Sequence, residues 1–234
     1  HVDLVAMSSR SLLTVVNDIL DFSTLDEGRI RLEQRPFSVG ETICRCVDSL
    51  TLQADAKNLR LETRLDETLA PYLVGDDTRL TQILLNLIGN AVKFTDQGSV
   101  AISVHTLPSV RDYQAFRITV RDTGIGIPRD RLDQLFFFFS QIDSSINRRF
   151  GGSGLGLAIT KGLVDLMKGQ IGVESLLGEG TTFWVELNLP IARSTEIPRP
   201  LGDAPPAVVA PGKKLRVLVV DDVDLNRALA AALL

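Results

Sequence analysis

Three short glycine-rich runs constrain this chain more than any other feature. Asp122-Thr123-Gly124-Ile125-Gly126-Ile127-Pro128 follows a run of alternating apolar residues. Gly151-Gly152-Ser153-Gly154-Leu155-Gly156 heads a helical pattern, and Gly178-Glu179-Gly180-Thr181-Thr182-Phe183 separates two further alternating runs. Glycine permits positive φ and lets a backbone come close to another segment or to a ligand. Where such a run feeds a helix, free N–H groups and the helix dipole favour an anion such as phosphate. Any one such run is more often a structural turn than a ligand loop. None ends in the Lys-Ser/Thr of a P-loop, and no acidic residue follows at the distance a dinucleotide-binding turn requires.

The segments between these runs alternate helical and extended periodicity. In residues 1–27, Val5, Leu12, Val16 and Ile19 recur at helical steps, Leu13 and Leu20 widen the stripe, and Gly28 supplies a stop. That breadth suits a bundle or dimer helix as well as an ordinary core helix. Ile30, Leu32 and Phe37 predict a strand ended by Pro36. Ser38-Val39-Gly40-Glu41 fits a capping box opening a helix to about Lys57. Leu59, Leu61 and Leu65 mark another strand. Asp76 or Asp77 can cap a helix carrying Leu80, Ile83, Leu84, Leu87, Ile88 and Ala91. Strands are expected around Val100, Ile102 and Val104, and around Phe116, Ile118 and Val120. Beyond a poorly periodic stretch from Thr123 to Gly154, a helix is predicted over 155–168, then strands near 170–175 and 181–189. This order gives an α+β fold of mostly antiparallel strands with helices on one face of the sheet.

Composition excludes several classes. With 25 Lys+Arg against 29 Asp+Glu the net charge is −4, which argues against a polyanion-binding chain, and no nucleic-acid contact is expected. Phe136-Phe137-Phe138-Phe139 is among the greasiest stretches and is far too short to span a bilayer, so no membrane segment is expected. Cys44 and Cys46 lie two positions apart on a predicted helix and point in different directions. They can neither pair nor build a metal site there, which fits a cytoplasmic location. Six of the 10 prolines fall between Pro190 and Pro211, so residues 191–213 read as a linker. The apolar run Leu215-Arg216-Val217-Leu218-Val219-Val220, ending at Asp221-Asp222, suits a buried parallel strand. The opening His1, and a helix that only begins near Leu234, predict a piece of a longer protein.

Asn86 and Asn90, one helical turn apart in Asn86-Leu87-Ile88-Gly89-Asn90-Ala91-Val92-Lys93-Phe94, are mediocre helix residues on one face of an apolar helix. A satisfied polar core pair and a functional pair account for them equally. The order of motifs changes this balance. Asn-x-x-x-Asn, Asp-x-Gly-x-Gly, the Phe-rich run, Gly-x-Gly-Leu-Gly and Gly-x-Gly-Thr, with Gly75-Asp76-Asp77-Thr78-Arg79-Leu80 and Arg148-Arg149-Phe150-Gly151-Gly152, resemble the ATP-binding domain of sensor histidine kinases. The resemblance covers residues 36–190. It implies a two-layer α/β sandwich of the histidine kinase, gyrase and chaperone ATPase type.

The flanks extend the likeness. Ser11-Leu12-Leu13-Thr14-Val15-Val16-Asn17-Asp18-Ile19-Leu20-Asp21-Phe22-Ser23 resembles the second helix of the family's dimerisation and phosphoacceptor hairpin, here residues 1–28. Residues 214–234, with Val217 through Asp222 and Asn226-Arg227, resemble the start of a receiver domain. A hybrid kinase of a phosphorelay is implied. Its partners would be a second copy through the hairpin and a receiver or His phosphotransfer domain.

By this resemblance ATP and Mg²⁺ are the cofactors. Asn90 would ligate the Mg²⁺ that bridges the phosphates. Asn86 stands where hydrolysing relatives carry Glu, and an amide cannot abstract a proton from water. Lys93 would meet a phosphate and Phe94 the adenine face, unless Phe94 is plain core packing. Asp122 would accept from the adenine amino group, Gly124 and Gly126 would leave room for the base, and Thr181 would complete the contact. Gly152, Gly154, Leu155 and Gly156 belong to a lid over the phosphates, with Arg148 or Arg149 supplying charge. Asp221 and Asp222 would form the receiver's Mg²⁺ site.

Two positions depart from the pattern. Phe136 to Phe139 replaces a Phe-Glu-Pro-Phe-like segment, and Val223 replaces a polar residue after the receiver's acid pair. The acceptor is expected outside this chain, because neither His1 nor His105 lies in a Ser-His-Glu-like setting. The chain should bind Mg·ATP without phosphorylating itself. A hydrolytic ATPase of the same fold and a non-catalytic scaffold module are the competing readings.

Overall fold

The computed structural model of the chain describes residues 30–137 and 154–193, together with positions 16, 19, 20 and 23–25. The six isolated positions are helical, within the helix expected over 1–28. The rest of that helix, Arg148, Arg149, Gly152, the linker from 194 on, and the receiver-like segment with Asp221 and Asp222 lie outside the described residues.

The elements run β1 (Arg35–Phe37), α1 (Val39–Asp55), β2 (Arg60–Leu65), β3 (Leu73–Gly75), α2 (Asp77–Phe94), β4 (Ser99–Leu107) and β5 (Tyr113–Asp122). A 3-10 turn (Arg129–Gln134), α3 (Gly156–Leu166), β6 (Gln170–Leu176) and β7 (Gly180–Pro190) follow. Five strands form one sheet in the order β2-β4-β5-β7-β6, in which only the β2–β4 pairing is parallel. β1 and β3 form a separate antiparallel pair. Along β4, β5 and β7 the alternation is strict. Val100, Ile102, Val104, Phe116, Ile118, Val120, Val185 and Leu187 are buried in one core with Ile43, Leu80, Ile83, Leu84, Leu87, Ile88 and Leu163 from the helices. Each such aliphatic side chain contributes about 1.5–3 kcal/mol through burial. Many of the intervening residues, such as Ser103, Arg117, Thr119 and Glu186, are polar. On that side Arg117 binds Glu186 at 2.6 Å and lies 4.6 Å from the Trp184 ring.

The caps explain where the helices begin. Ser38 accepts from the Glu41 N–H at 3.4 Å to open α1. Asp76, not Asp77, caps α2: buried, it accepts from the Arg79 N–H at 2.9 Å and from the Glu33 N–H at 3.0 Å. Asp77 turns to α1, where it binds the Arg45 guanidinium at 2.7 Å and accepts from the Thr42 hydroxyl. At the other end of α2, the Lys57 ammonium donates to the carbonyls of Val92 at 2.8 Å, Lys93 at 2.8 Å and Thr95 at 3.1 Å. A cation at a helix C-terminus complements its dipole.

Three local expectations need correction. Pro36 does not end a strand; it lies inside β1, opposite Val74, where a two-stranded edge tolerates its missing N–H. Ile30 and Leu32 precede that strand and pack against the core as irregular backbone. The helices also stop sooner than predicted, α1 at Asp55 and α3 at Leu166, with Lys168 in the left-handed region at φ 58°.

Candidate functional site

The site forms where α2 ends beside the loop that leaves β5. Asn86 and Asn90 share one face of α2, and both are half-buried. Asn90 Nδ2 donates to Asn86 Oδ1 at 3.4 Å, and Asn86 Nδ2 donates to Thr160 Oγ1 on α3 at 2.8 Å. Asn86 therefore spends its amide tying α2 to α3. The Asn90 carbonyl oxygen takes no part in this pair. Gly156, in the first turn of α3, sits against the same amide: a Cβ there would stand 2.5 Å from Asn86 Oδ1. The preceding Leu155 is buried and gives α3 no side-chain cap, and Gly154 has φ 71°.

One turn beyond Asn90, the Lys93 ammonium lies 5.0 Å from the Phe94 ring centroid. Partial burial pushes the Lys93 pKa down from the ordinary lysine value, because desolvation disfavours the cation. The Phe94 carbonyl accepts from the Ile125 N–H at 3.3 Å. Gly124 packs so closely there that a Cβ would be 2.5 Å from that carbonyl oxygen. Gly126, at φ 67°, backs onto the Leu176 carbonyl.

Asp122, the last residue of β5, is buried. Its Oδ1 accepts from the Gly124 N–H at 2.8 Å and from the Thr181 N–H at 3.3 Å. Among the described residues both bonds fall on Oδ1. Burial raises the Asp122 pKa, and the two N–H groups oppose that shift. Thr181, also buried, is reached by the Ser175 hydroxyl at 2.9 Å.

The structure thus brings Asn86, Asn90, Lys93, Phe94, Gly124, Gly126, Asp122 and Thr181 together through α2, the β5 loop and the β6–β7 turn, with Gly156 and Leu155 joined through Asn86 and Thr160. Of the Phe-rich run, Phe136 packs against the core and Phe137 is exposed, while Phe138 and Phe139 lie outside the described residues. Thr160, Ser175 and Lys57 escaped the sequence reading. Thr160 lies one turn beyond Gly156 and carried the only local signal, a polar residue on the buried face of an apolar helix. For Mg²⁺ the donor set fits a metal delivered with phosphates: one amide oxygen is offered at Asn90, and the described residues hold no cluster of three acidic, His or Cys side chains.

The fold and this site define an ATP-binding catalytic domain, and comparisons agree. The family described as histidine kinase-, DNA gyrase B-, and HSP90-like ATPase matches residues 75–191. The sensory/regulatory protein RpfC of Xanthomonas campestris pv. campestris is 38% identical over 251 aligned positions, covering 97% of this chain and 34% of that protein. The hybrid signal transduction protein dokA of Dictyostelium discoideum is 41% identical over 203 residues, covering 85% of this chain and 12% of that protein. The crystal structure of full-length ShkA in complex with AMPPNP superposes with a TM-score of 0.70 at 32% identity, over 80% of this chain and 38% of that one. The chain belongs to this ATPase family, as a member of its sensor histidine kinases. It spans 34% or less of the length of these two curated relatives.

Proposed function

We propose that this domain binds Mg·ATP and passes the γ-phosphoryl group to a histidine on a helical hairpin of the full-length protein, as the kinase part of a hybrid phosphorelay. The observation that carries the reading is the buried Asp122 carboxylate. It is held on one oxygen by backbone donors, beside a helix that presents two amides and a lysine. Asp122 Oδ2 accepts from the adenine amino group, Thr181 completes the edge contact, and Phe94 packs on the base while Gly124 and Gly126 let it approach. Lys93 meets the phosphates, and its charge is strengthened there because an adjacent anion favours the protonated form.

Asn90 would hold the Mg²⁺ through its amide oxygen; the ion supplies charge neutralisation on the phosphates. Asn86 orients Asn90 and bridges to Thr160. Having no basic lone pair, it does not activate water, which favours transfer to a protein group over hydrolysis. Gly154, Leu155 and Gly156 offer the N-terminal N–H groups of α3 to phosphate oxygens. Gly152 would join them in a lid over the phosphates, with Arg148 or Arg149 supplying positive charge; these three lie outside the described residues. In the transfer, the bond from the γ-phosphorus to the bridging oxygen breaks, a phosphorus–nitrogen bond to imidazole forms, and ADP leaves. Asp221 and Asp222, outside the described residues, would hold the receiver's Mg²⁺. The partners are a second copy through the hairpin, whose second helix residues 1–28 would supply in part, and a receiver or His phosphotransfer domain.

The test is titration with ATP and Mg²⁺, followed by incubation with labelled ATP and a purified hairpin bearing the acceptor histidine. Acid-labile, alkali-stable phosphate should appear on the hairpin and not on this chain. Absence of Mg·ATP binding refutes the reading in favour of a scaffold role. Steady phosphate release without transfer refutes it in favour of a hydrolytic ATPase.

A further inference from the structure

Thr160 is a polar side chain only 2% exposed, on the face of α3 that buries Ile159, Leu163 and Val164. Its Oγ1 accepts from Asn86 Nδ2 at 2.8 Å, and Asn86 Oδ1 accepts from Asn90 Nδ2 at 3.4 Å. The three side chains form a relay with one direction: Asn90 gives its NH₂ to Asn86, and Asn86 gives its NH₂ to Thr160. A side-chain amide has a donor end and an acceptor end, so fixing one member of the relay fixes the next. With its NH₂ turned to Asn86, Asn90 keeps its carbonyl oxygen out of the relay.

The same contacts could run backwards, with the Thr160 hydroxyl donating to Asn86 and Asn86 donating to Asn90. That direction would consume the Asn90 oxygen and leave an NH₂ in its place. For a hard cation the two directions are opposites, since an amide oxygen ligates it and an amide NH₂ does not. Thr160 holds the relay in the first direction by accepting. The start of α3 agrees with it: a Cβ on Gly156 would stand 2.5 Å from Asn86 Oδ1 but 3.3 Å from Nδ2. The positive end of a helix dipole favours the oxygen there.

We propose that Thr160 is a positioning residue for the metal: by accepting from Asn86 it sets the direction of the amide relay and keeps the Asn90 oxygen available to Mg²⁺. The inference rests on the Mg·ATP reading above.

The probe is ATP, titrated by calorimetry with Mg²⁺ and again in EDTA, and the quantity read is the EDTA Kd divided by the Mg²⁺ Kd. Thr160→Val keeps the shape of the side chain and removes the acceptor. Asn86 Nδ2 is then orphaned unless the amide reverses and donates to Asn90 Oδ1, which leaves a carbonyl, the better tolerated orphan. The ratio should fall about threefold, the low end for one neutral hydrogen bond because the α3 terminus still favours the original direction. Affinity in EDTA should hold or rise. Thr160→Ser keeps an acceptor and should preserve the unaltered ratio. Asn86→Asp supplies a carboxylate that accepts from Asn90 Nδ2 whatever stands at position 160. Adding Thr160→Val to Asn86→Asp should therefore leave the ratio of Asn86→Asp unchanged.

A Thr160→Val variant that weakens ATP equally with and without Mg²⁺ overturns the proposal, because that is what a purely structural threonine would do. A ratio in Thr160→Ser as low as in Thr160→Val overturns it as well, and so does an equal fall in the Asn86→Asp background. If Thr160→Val does not fold, Thr160→Cys takes its place: it keeps the size, offers only a weak acceptor, and must lower the ratio. Failure of the unaltered chain to bind ATP overturns the nucleotide reading itself, whereas Mg²⁺-enhanced binding that Thr160→Val leaves untouched refutes only the role of Thr160.

Discussion

Replacing Asp122 with Asn separates what the fold needs from what the nucleotide needs. The two N–H donors from Gly124 and Thr181 both use Oδ1, at 2.8 and 3.3 Å, and an asparagine carbonyl can accept both. Only Oδ2 changes, from a charged acceptor to an NH₂ donor. Toward ATP, a charge-assisted hydrogen bond to the amino group is exchanged for two donors facing each other. That costs about 2–3 kcal/mol, or about 30- to 150-fold in Kd. Toward stability the sign is opposite. Burial raises the folded-state pKa of Asp122 above its unfolded value, so between those two values the folded chain holds more protons than the unfolded one. Stability from this group therefore falls as pH rises through that window, and at neutral pH the carboxylate is a net burden. Asp122→Asn removes the burden. Urea titration of the ligand-free protein at pH 7 should find the variant at least as stable as the unaltered chain, with the difference vanishing below the ordinary Asp pKa. Calorimetric titration should show the loss of Mg·ATP affinity, and the unaltered chain should lose affinity on acidification through the raised pKa. An Asp122→Asn variant that is less stable at pH 7, or that binds ATP within threefold of the parent, refutes the reasoning.

Gly156→Ala drives a Cβ into the Asn86 amide while gaining helix propensity; melting should shift by only a few degrees, and Mg·ATP affinity should drop about tenfold, roughly the worth of one side-chain hydrogen bond. Lys57→Met strips the cation from the Val92, Lys93 and Thr95 carbonyls, which should cost about 2–3 kcal/mol and lower Tm by roughly 5–10 °C in calorimetry. Asp76→Ala removes the α2 cap and orphans the Glu33 N–H. About 2 kcal/mol of stability should be lost in urea titration, while ATP affinity stays within twofold, since Asp76 lies at the far end of α2 from Asn90.

How much was legible depended on the range of the interaction. β4, β5 and β7 are readable because one face is buried and the other partly exposed, so Val100, Ile102 and Val104 alternate with the smaller or more polar Ala101, Ser103 and His105. The Ser38 cap is readable because its partner is three residues away. β3 is three residues long and too short to show any period, and only pairing with β1 defines it. The choice between Asp76 and Asp77 needed the distant Glu33 and Arg45. Asn86 and Asn90 drew notice through their spacing, but the reason for Asn86 lies on α3, 74 residues away at Thr160. Ser175 acts on Ile127 across 48 residues, and nothing in its own neighbourhood marks it.

The glycines that first draw the eye turn out to be weak witnesses to a ligand. Gly126 needs positive φ and backs onto the Leu176 carbonyl, Gly180 backs onto the Asp122 carbonyl at φ 112°, and Gly124 is pressed against Phe94. Packing of the β5 loop between α2 and the β6–β7 turn demands all three, whatever binds there. Asp122 is different. The Gly124 and Thr181 N–H groups would be served by any oxygen at that point, including a neutral amide, and burial works against the charge. Burial there disfavours the charged form, which is why the proposed reading gives Oδ2 a hydrogen-bond donor from a nucleotide, and why Asp122→Asn tests that reading more sharply than any of the glycines can.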